Sequence, residues 1–256
     1  MIGAIIGDVL GSYYEAFPTK QEDFRLLHPD ARFTDDTVLS VAVAEWVMTD
    51  GNLVDLFHEY FDRYPQAGYG ESFVRWAGYR KQEPYNSWGN GSAMRVSPIA
   101  YACQSDDEVL ERARESAIVT HDHPQGVQGA QAVALGVFLA RKGLSKQEIR
   151  CELETRFPYD LSRSLAEIRP TYHFDVSCQG SVPESLIAFF ESTCFESAIR
   201  NAISLGGDAD TMACISGGLA EAFYGEIPET LQQFAWQRLD EPLRRTLEKF
   251  AHTYTQ

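Results

Sequence analysis

The chain has 256 residues, 44% of them hydrophobic, with a formal net charge of −15 at pH 7. That length and apolar content suit one domain with a sizeable core. An acidic surface of this kind repels nucleic-acid phosphates and anionic lipids, so neither is an expected partner.

No Ser/Pro-rich segment, charge block or low-complexity run divides the chain, so residues 1–256 are read as one domain. The five cysteines (Cys103, Cys151, Cys178, Cys194 and Cys214) form no CxxC pair and no Cys/His cluster. That excludes a zinc site and a disulfide framework and fits reduced thiols in a cytoplasmic protein. The start, MIGAIIGDVLGSYYEA, is apolar but has no basic leader and is interrupted by Asp8, so it is not read as a signal peptide. No apolar run is long enough to span a bilayer.

Helical patterns fill the chain, and period-two alternation is nearly absent, so an all-α fold is expected. Helix starts are predicted near Met1, Thr37, Leu53, Glu71, Ala93, Asp106, Pro124, Lys146, Pro183, Phe195, Thr211, Glu229 and Pro242. Ser105 with Glu108, Ser145 with Glu148, Ser181 with Glu184 and Thr193 with Glu196 have capping-box spacing. The first helix carries Gly3, Gly7 and Gly11 at four-residue spacing, a smooth stripe for close packing. Asp8 and Glu15, seven apart, share another face of it. Thr34, Asp35, Asp36 and Thr37 stand before VLSVAVAEWVM, which is apolar nearly all round, as an enclosed helix is. Far along the chain, Asp208, Asp210 and Thr211 stand before a second enclosed helix, rich in Ala, Gly and Ser.

Buried carboxylates are costly, and two close together are costlier. If the two helix starts converge, four carboxylates meet, and their repulsion prevents all four from staying ionised. Hard divalent cations resolve this, since Mg²⁺ and Mn²⁺ prefer carboxylate, hydroxyl and water oxygens. The plainer alternative is that Asp and Thr are ordinary N-caps. An EF-hand is excluded because Thr211 is followed by MACIS rather than further oxygen ligands. DADT also matches a phosphatase pattern, but that pattern ends a buried strand, whereas Asp208 follows Gly206 and Gly207.

FTDDT, SWGNGSAMR, THDHPQG and LGGDADT, in this order, together with GDVLGSYYEA, resemble the ADP-ribosylhydrolase (ADP-ribosylglycohydrolase) family, which includes the dinitrogenase-reductase-activating glycohydrolases. The resemblance implies a compact orthogonal all-α bundle with two Mg²⁺ or Mn²⁺ ions between helix N-termini. It implies that Thr34, Asp35 and Asp36 bind one ion and that Asp208, Asp210 and Thr211 bind the other, with Asp210 bridging. Glu15 falls where one branch of the family has a mobile glutamate that reaches the metals or the substrate. The plainer reading of Glu15 is a solvated charge at a helix end. Asp8 is expected to orient helix starts through hydrogen bonds.

By the same resemblance, the loop Gly89, Asn90, Gly91 and Ser92, leading into a helix from Ala93, holds an ADP-ribose diphosphate. Glycines let backbone N–H groups approach such an anion, and a helix N-terminus adds partial positive charge. Without the resemblance this is a plain glycine turn. Arg95 either adds charge there or forms a salt bridge. His121 matches a position lining the cleft, and His123 is assigned no role. Ser177, Cys178 and Gly180, in FDVSCQGSVPES, are expected near the ligand. No basic group neighbours Cys178, so it is not read as a nucleophile.

The implied activity is metal-dependent hydrolysis of the glycosidic bond of an ADP-ribosyl group, carried by a protein or a small molecule, with Asp35, Asp36 and Glu15 as catalytic residues. YEA at Tyr14 to Ala16 resembles the branch that cleaves oxygen-linked ADP-ribose. The alternatives are a metal-dependent phosphohydrolase acting on a nucleotide and a catalytically silent ADP-ribose-binding protein.

Overall fold

A computed structural model describes residues 1–254. These residues form fourteen α-helices and no strand. They are α1 (Ile2–Ala16), α2 (Asp35–Thr49), α3 (Leu53–Arg63), α4 (Glu71–Gly78), α5 (Ser97–Ala102), α6 (Asp106–Ile118), α7 (Pro124–Arg141), α8 (Lys146–Arg156), α9 (Leu165–Ile168), α10 (Cys178–Phe190), α11 (Phe195–Ile203), α12 (Ala209–Tyr224), α13 (Glu229–Trp236) and α14 (Glu241–Tyr254). No helix among the described residues is long and apolar enough to cross a membrane.

The centre is the seam between α1 and α12. A Cβ on Gly3, Gly7 or Gly11 would lie only 2.4, 2.0 or 2.4 Å from the carbonyl oxygens of Gly217, Ala213 and Ala209. Only glycine lets the two backbones come this close, and that closeness offsets the poor helix propensity of the stripe. Helices α7, α10 and α11 pack around α12. Helix α2 is buried on nearly every side, as its sequence requires (Val38, Leu39, Val41, Ala42, Val43 and Ala44).

Local chemistry sets most helix starts, with four corrections. Ser145 and Glu148 form a full capping box, and so do Ser164 and Glu167 at the unforeseen α9, a single turn too short to show periodicity. Helix α10 begins at Cys178, not Pro183, because the Ser177 hydroxyl caps it by accepting the Gly180 N–H at 3.1 Å. Ser181 and Glu184 therefore lie inside that helix, and Glu184 instead accepts a bond from Arg163 at 2.8 Å. At α11 the capping residue is Cys194, with Ser197 accepting its N–H, one residue on from the Thr193–Glu196 register. No α-helix starts at Ala93. A 3-10 turn spans Asn90–Ser92, and α5 starts at Ser97 with Pro98 in its first turn, where a proline is pre-organised.

Candidate functional site

Asp8, in the middle of α1, is fully buried and ties α1 to the start of α2. Its carboxylate accepts the Thr34 N–H at 2.9 Å, the Thr34 hydroxyl at 2.6 Å, the Thr37 N–H at 3.1 Å and the Thr37 hydroxyl. The start of α12 meets the same place. Thr211 donates its hydroxyl to Asp36 Oδ1 at 3.2 Å across 175 residues of sequence. The two acidic corners are therefore in hydrogen-bond contact.

They open into a cleft of about 470 Å³. Its walls include Glu15, Thr34, Asp35, Asp36, Asp208, Asp210 and Thr211 at one end and Gly89, Asn90, Gly91 and His121 at the other. One oxygen each from Glu15, Asp208 and Asp210 lies within 4.8 Å of the other two, close enough for a shared cation.

Crowding disturbs every carboxylate here. Burial pushes Asp35 up to about 8, and the charges of Asp8 and Asp208 add to the rise. Burial also raises Asp36 and Asp210 well above the usual carboxylate range. Glu15 is raised by burial and by the charges of Asp208 and Asp8, while Arg32 at the mouth opposes. The relief that Asp36 and Asp208 receive comes from hydrogen bonds: Thr211 donates to Asp36, while Asp208 is relieved first by hydrogen bonding with Asp210 and then by the Asn90 amide, which donates to it at 2.7 Å. Asp36 Oδ2 is buried with no hydrogen-bond partner. An all-oxygen donor set with an orphaned carboxylate oxygen fits a hard divalent cation.

Apart from the Asn90–Asp208 bond, the loop at the opposite end is held by hydrogen bonds between neutral groups. The only β-bridge among the described residues pairs Gly89 with Ser177. Asn90 N–H donates to Val176 O at 2.7 Å, and Cys178 N–H donates to Trp88 O at 2.9 Å. Asn90 Nδ2 also donates to Ser181 Oγ at 3.1 Å. The N–H groups of Gly89 and Asn90 are thus already used, the first by Ser87 Oγ at 3.1 Å. His121 is buried, and burial and the Arg95 charge push it well below the ordinary histidine range, so its ring is neutral.

Four expected ligand-contacting residues stand behind the cleft wall. Ser92 is fully buried and donates to Gly126 O at 2.7 Å. Ser177 caps α10, and Gly180 sits in its first turn. Cys178 is buried, donates to Gly89 O at 3.0 Å, and has its thiol pushed up to about 12 by burial. In their place the same loop sends Phe174 and Val176 into the cleft, each about half exposed. Tyr85, Arg32 and Met94 also line it without having been singled out. Apolar character alone marks none of them, since exposed aromatic and aliphatic side chains are common. Arg95 makes no salt bridge: it is fully buried, with its guanidinium 4.5 Å from the centre of the Phe57 ring. His123 caps α7 through its side chain.

The chain is similar to known proteins over nearly its whole length. The family model described as ADP-ribosylglycohydrolase matches residues 1–256. The ADP-ribosylhydrolase ARH3 of Mus musculus is 30% identical, covering 91% of this chain and 85% of that protein. The ADP-ribosylarginine hydrolase Tri1 of Pseudomonas putida is 24% identical, covering 96% of this chain and 76% of its own length. A solved structure titled ADP-ribosylglycohydrolase-related protein complex superposes with a TM-score of 0.71 at 26% identity, covering 98% of this chain and 94% of that one.

Proposed function

The chain belongs to the ADP-ribosylglycohydrolase family, and we propose that it cleaves the glycosidic bond of an ADP-ribosyl group, carried by a protein or a small molecule, and releases ADP-ribose. Two divalent cations, Mg²⁺ or Mn²⁺, would be held by Thr34, Asp35 and Asp36 on one side and by Asp208, Asp210 and Thr211 on the other, with Asp210 shared. Bound there, such cations supply Lewis acidity and offset the carboxylate repulsion.

The observation that carries this reading is the Thr211–Asp36 contact, which joins the two acidic corners in a cleft that also contains the Gly89–Gly91 loop. Asp35, half-buried at the cleft wall, accepts the proton of the attacking water. Asp36 is held in place by Thr211 and by its position in the first turn of α2. Glu15, whose carboxyl is raised by burial and by the charges of Asp208 and Asp8, lines the same cleft and would give a proton to the leaving group. Positive charge developing on the ribose ring, as in other glycoside cleavages, is favoured by the surrounding carboxylates. The diphosphate would lie toward Gly91 and His121, where the glycine loop borders the cleft.

The test is a panel of substrates carrying ADP-ribose on arginine, on serine and on an O-acetyl group, each incubated with Mg²⁺ and with Mn²⁺. Release of intact ADP-ribose in at least one supports the reading. Release of inorganic phosphate from a nucleotide instead marks a phosphohydrolase. Binding of ADP-ribose in a calorimeter without turnover of any substrate marks a silent binder.

A further inference from the structure

Thr120 follows α6 and is fully buried where the chain turns toward α7. Its hydroxyl accepts a bond from Arg95 Nη2 at 2.9 Å and lies 2.7 Å from His121 Nδ1. Arg95 is itself fixed. Its Nη2 also donates to Ser116 O at 2.8 Å, its plane covers Phe57, and its Nε and Nη1 are buried without partners. This guanidinium has two polar partners, the Ser116 carbonyl and the Thr120 hydroxyl, and only the second leads on to His121.

We propose that Arg95 and Thr120 are positioning residues that lock His121 in the neutral tautomer bearing its proton on Nε2, aimed at the Gly89–Gly91 loop. A hydroxyl has a single proton to give. Arg95 occupies an acceptor lone pair of the Thr120 oxygen and polarises the group, which strengthens its onward donation. His121 Nδ1 is the strong acceptor in reach. The competing acceptor is the Tyr85 phenol, which also approaches Thr120 and is a weaker base than an imidazole nitrogen. With Nδ1 accepting, a neutral ring must carry its proton on Nε2. That atom faces the loop: a Cβ on Gly91 would lie 3.2 Å from it, and one on Gly89 would lie 3.6 Å away. The other tautomer would turn a lone pair toward any anion bound there. The cleft thus gains a fixed N–H donor without a net charge, beside backbone N–H groups already partly used. That the anion is the ADP-ribose diphosphate rests on the proposed function; the tautomer does not.

Two-bond ¹H–¹⁵N correlation spectra of the ligand-free protein, with the His121 signals assigned from His121→Gln, read the tautomer directly. The wild type is expected to show an unprotonated Nδ1 and a protonated Nε2. Thr120→Val, close to isosteric, is expected to lose this pattern and to bind ADP-ribose about tenfold more weakly, equivalent to about 1.4 kcal/mol. Thr120→Ser is expected to restore both. A merely structural Thr120 would leave the pattern of a folded Thr120→Val unchanged, and that result overturns the proposal. So does a wild-type spectrum with the proton on Nδ1, which would assign the Thr120 proton to Tyr85. If Thr120→Val does not fold, the wild-type and Thr120→Ser spectra still decide. Failure of the wild type to bind ADP-ribose would overturn the proposed function alone, because the free-state spectrum needs no ligand.

Discussion

At one end of the cleft, Asp35, Asp36, Asp208 and Asp210 crowd together, and one buried oxygen has no partner at all. At the other, Gly89 and His121 are held by hydrogen bonds to neutral partners that the chain supplies for itself, and Asn90 links the two ends by donating to both Ser181 and Asp208. The carboxylates of the first end are electrostatically incomplete, whereas the loop backbone and His121 of the second are hydrogen-bonded within the chain, with only Arg95 behind them keeping two buried nitrogens unpaired. An incomplete site keeps its ligand-binding energy in reserve at the expense of fold stability, whereas a complete one is rigid and contributes shape. The contrast predicts that removing a carboxylate at the acidic end lowers activity without lowering stability, whereas removing a hydrogen bond at the loop end lowers both.

The largest effect is expected from Asp35→Asn. Turnover should fall by about a thousandfold, within the range for losing a general base, while the metal-free protein melts no lower than wild type because a carboxyl that is costly to bury is gone. A chelator should also abolish turnover in the wild type. A clear loss of melting temperature in the substituted protein would break the comparison.

At the loop end, Asn90→Ala removes the amide shared by Asp208 and Ser181. It should destabilise the fold by about 1–3 kcal/mol, as an orphaned buried acceptor does, and lower activity in parallel. Urea unfolding measures the first and initial rates the second.

Acidity should then distinguish the two ends in one experiment. Asp35 in the folded state titrates near 8, against the ordinary aspartate value of about 4 when unfolded. Between those values the folded chain holds more protons, so stability falls as pH rises through the window. Chelated protein should therefore melt higher at about pH 5 than at about pH 8. Saturating Mg²⁺ should flatten or reverse that slope, and a melting curve indifferent to the cation would count against a metal site.

The smallest effect is expected from Gly91→Ala. Its Cβ would sit 3.2 Å from His121 Nε2, tight but not forbidden. The melting point should change by less than about 0.5 kcal/mol equivalent, with a few-fold rise in KM and kcat retained.

Much of this architecture is legible from residue pattern. The Gly3, Gly7 and Gly11 stripe announces the α1–α12 seam because only a backbone contact needs that spacing. The two acidic corners are legible because each heads an enclosed helix, where a carboxylate has little alternative employment. The loop end is less legible, and the reason is directional. Ser92 has the right type for a phosphate contact, yet its hydroxyl turns toward Gly126 O, an acceptor from a distant helix. Cys178 faces Gly89 O for the same kind of reason. Phe174 and Val176 reach the cleft because their strand-like segment pairs with Trp88 and Asn90, a match between two irregular loops that no periodicity records. The start of α10 was obscured because Pro183 imitates a first-turn proline while Ser177 does the capping.

The glycine seam has one more consequence. Helix α12 cannot slide along α1 by a fraction of a turn, because each carbonyl of one backbone sits in a notch left by the other. The next position that re-engages the notches is four residues away, a translation of roughly 6 Å at the helical rise. Asp8 fixes α2 to the same α1. The separation of the two acidic corners is therefore gauged like the teeth of a rack, set by which notch each carbonyl occupies.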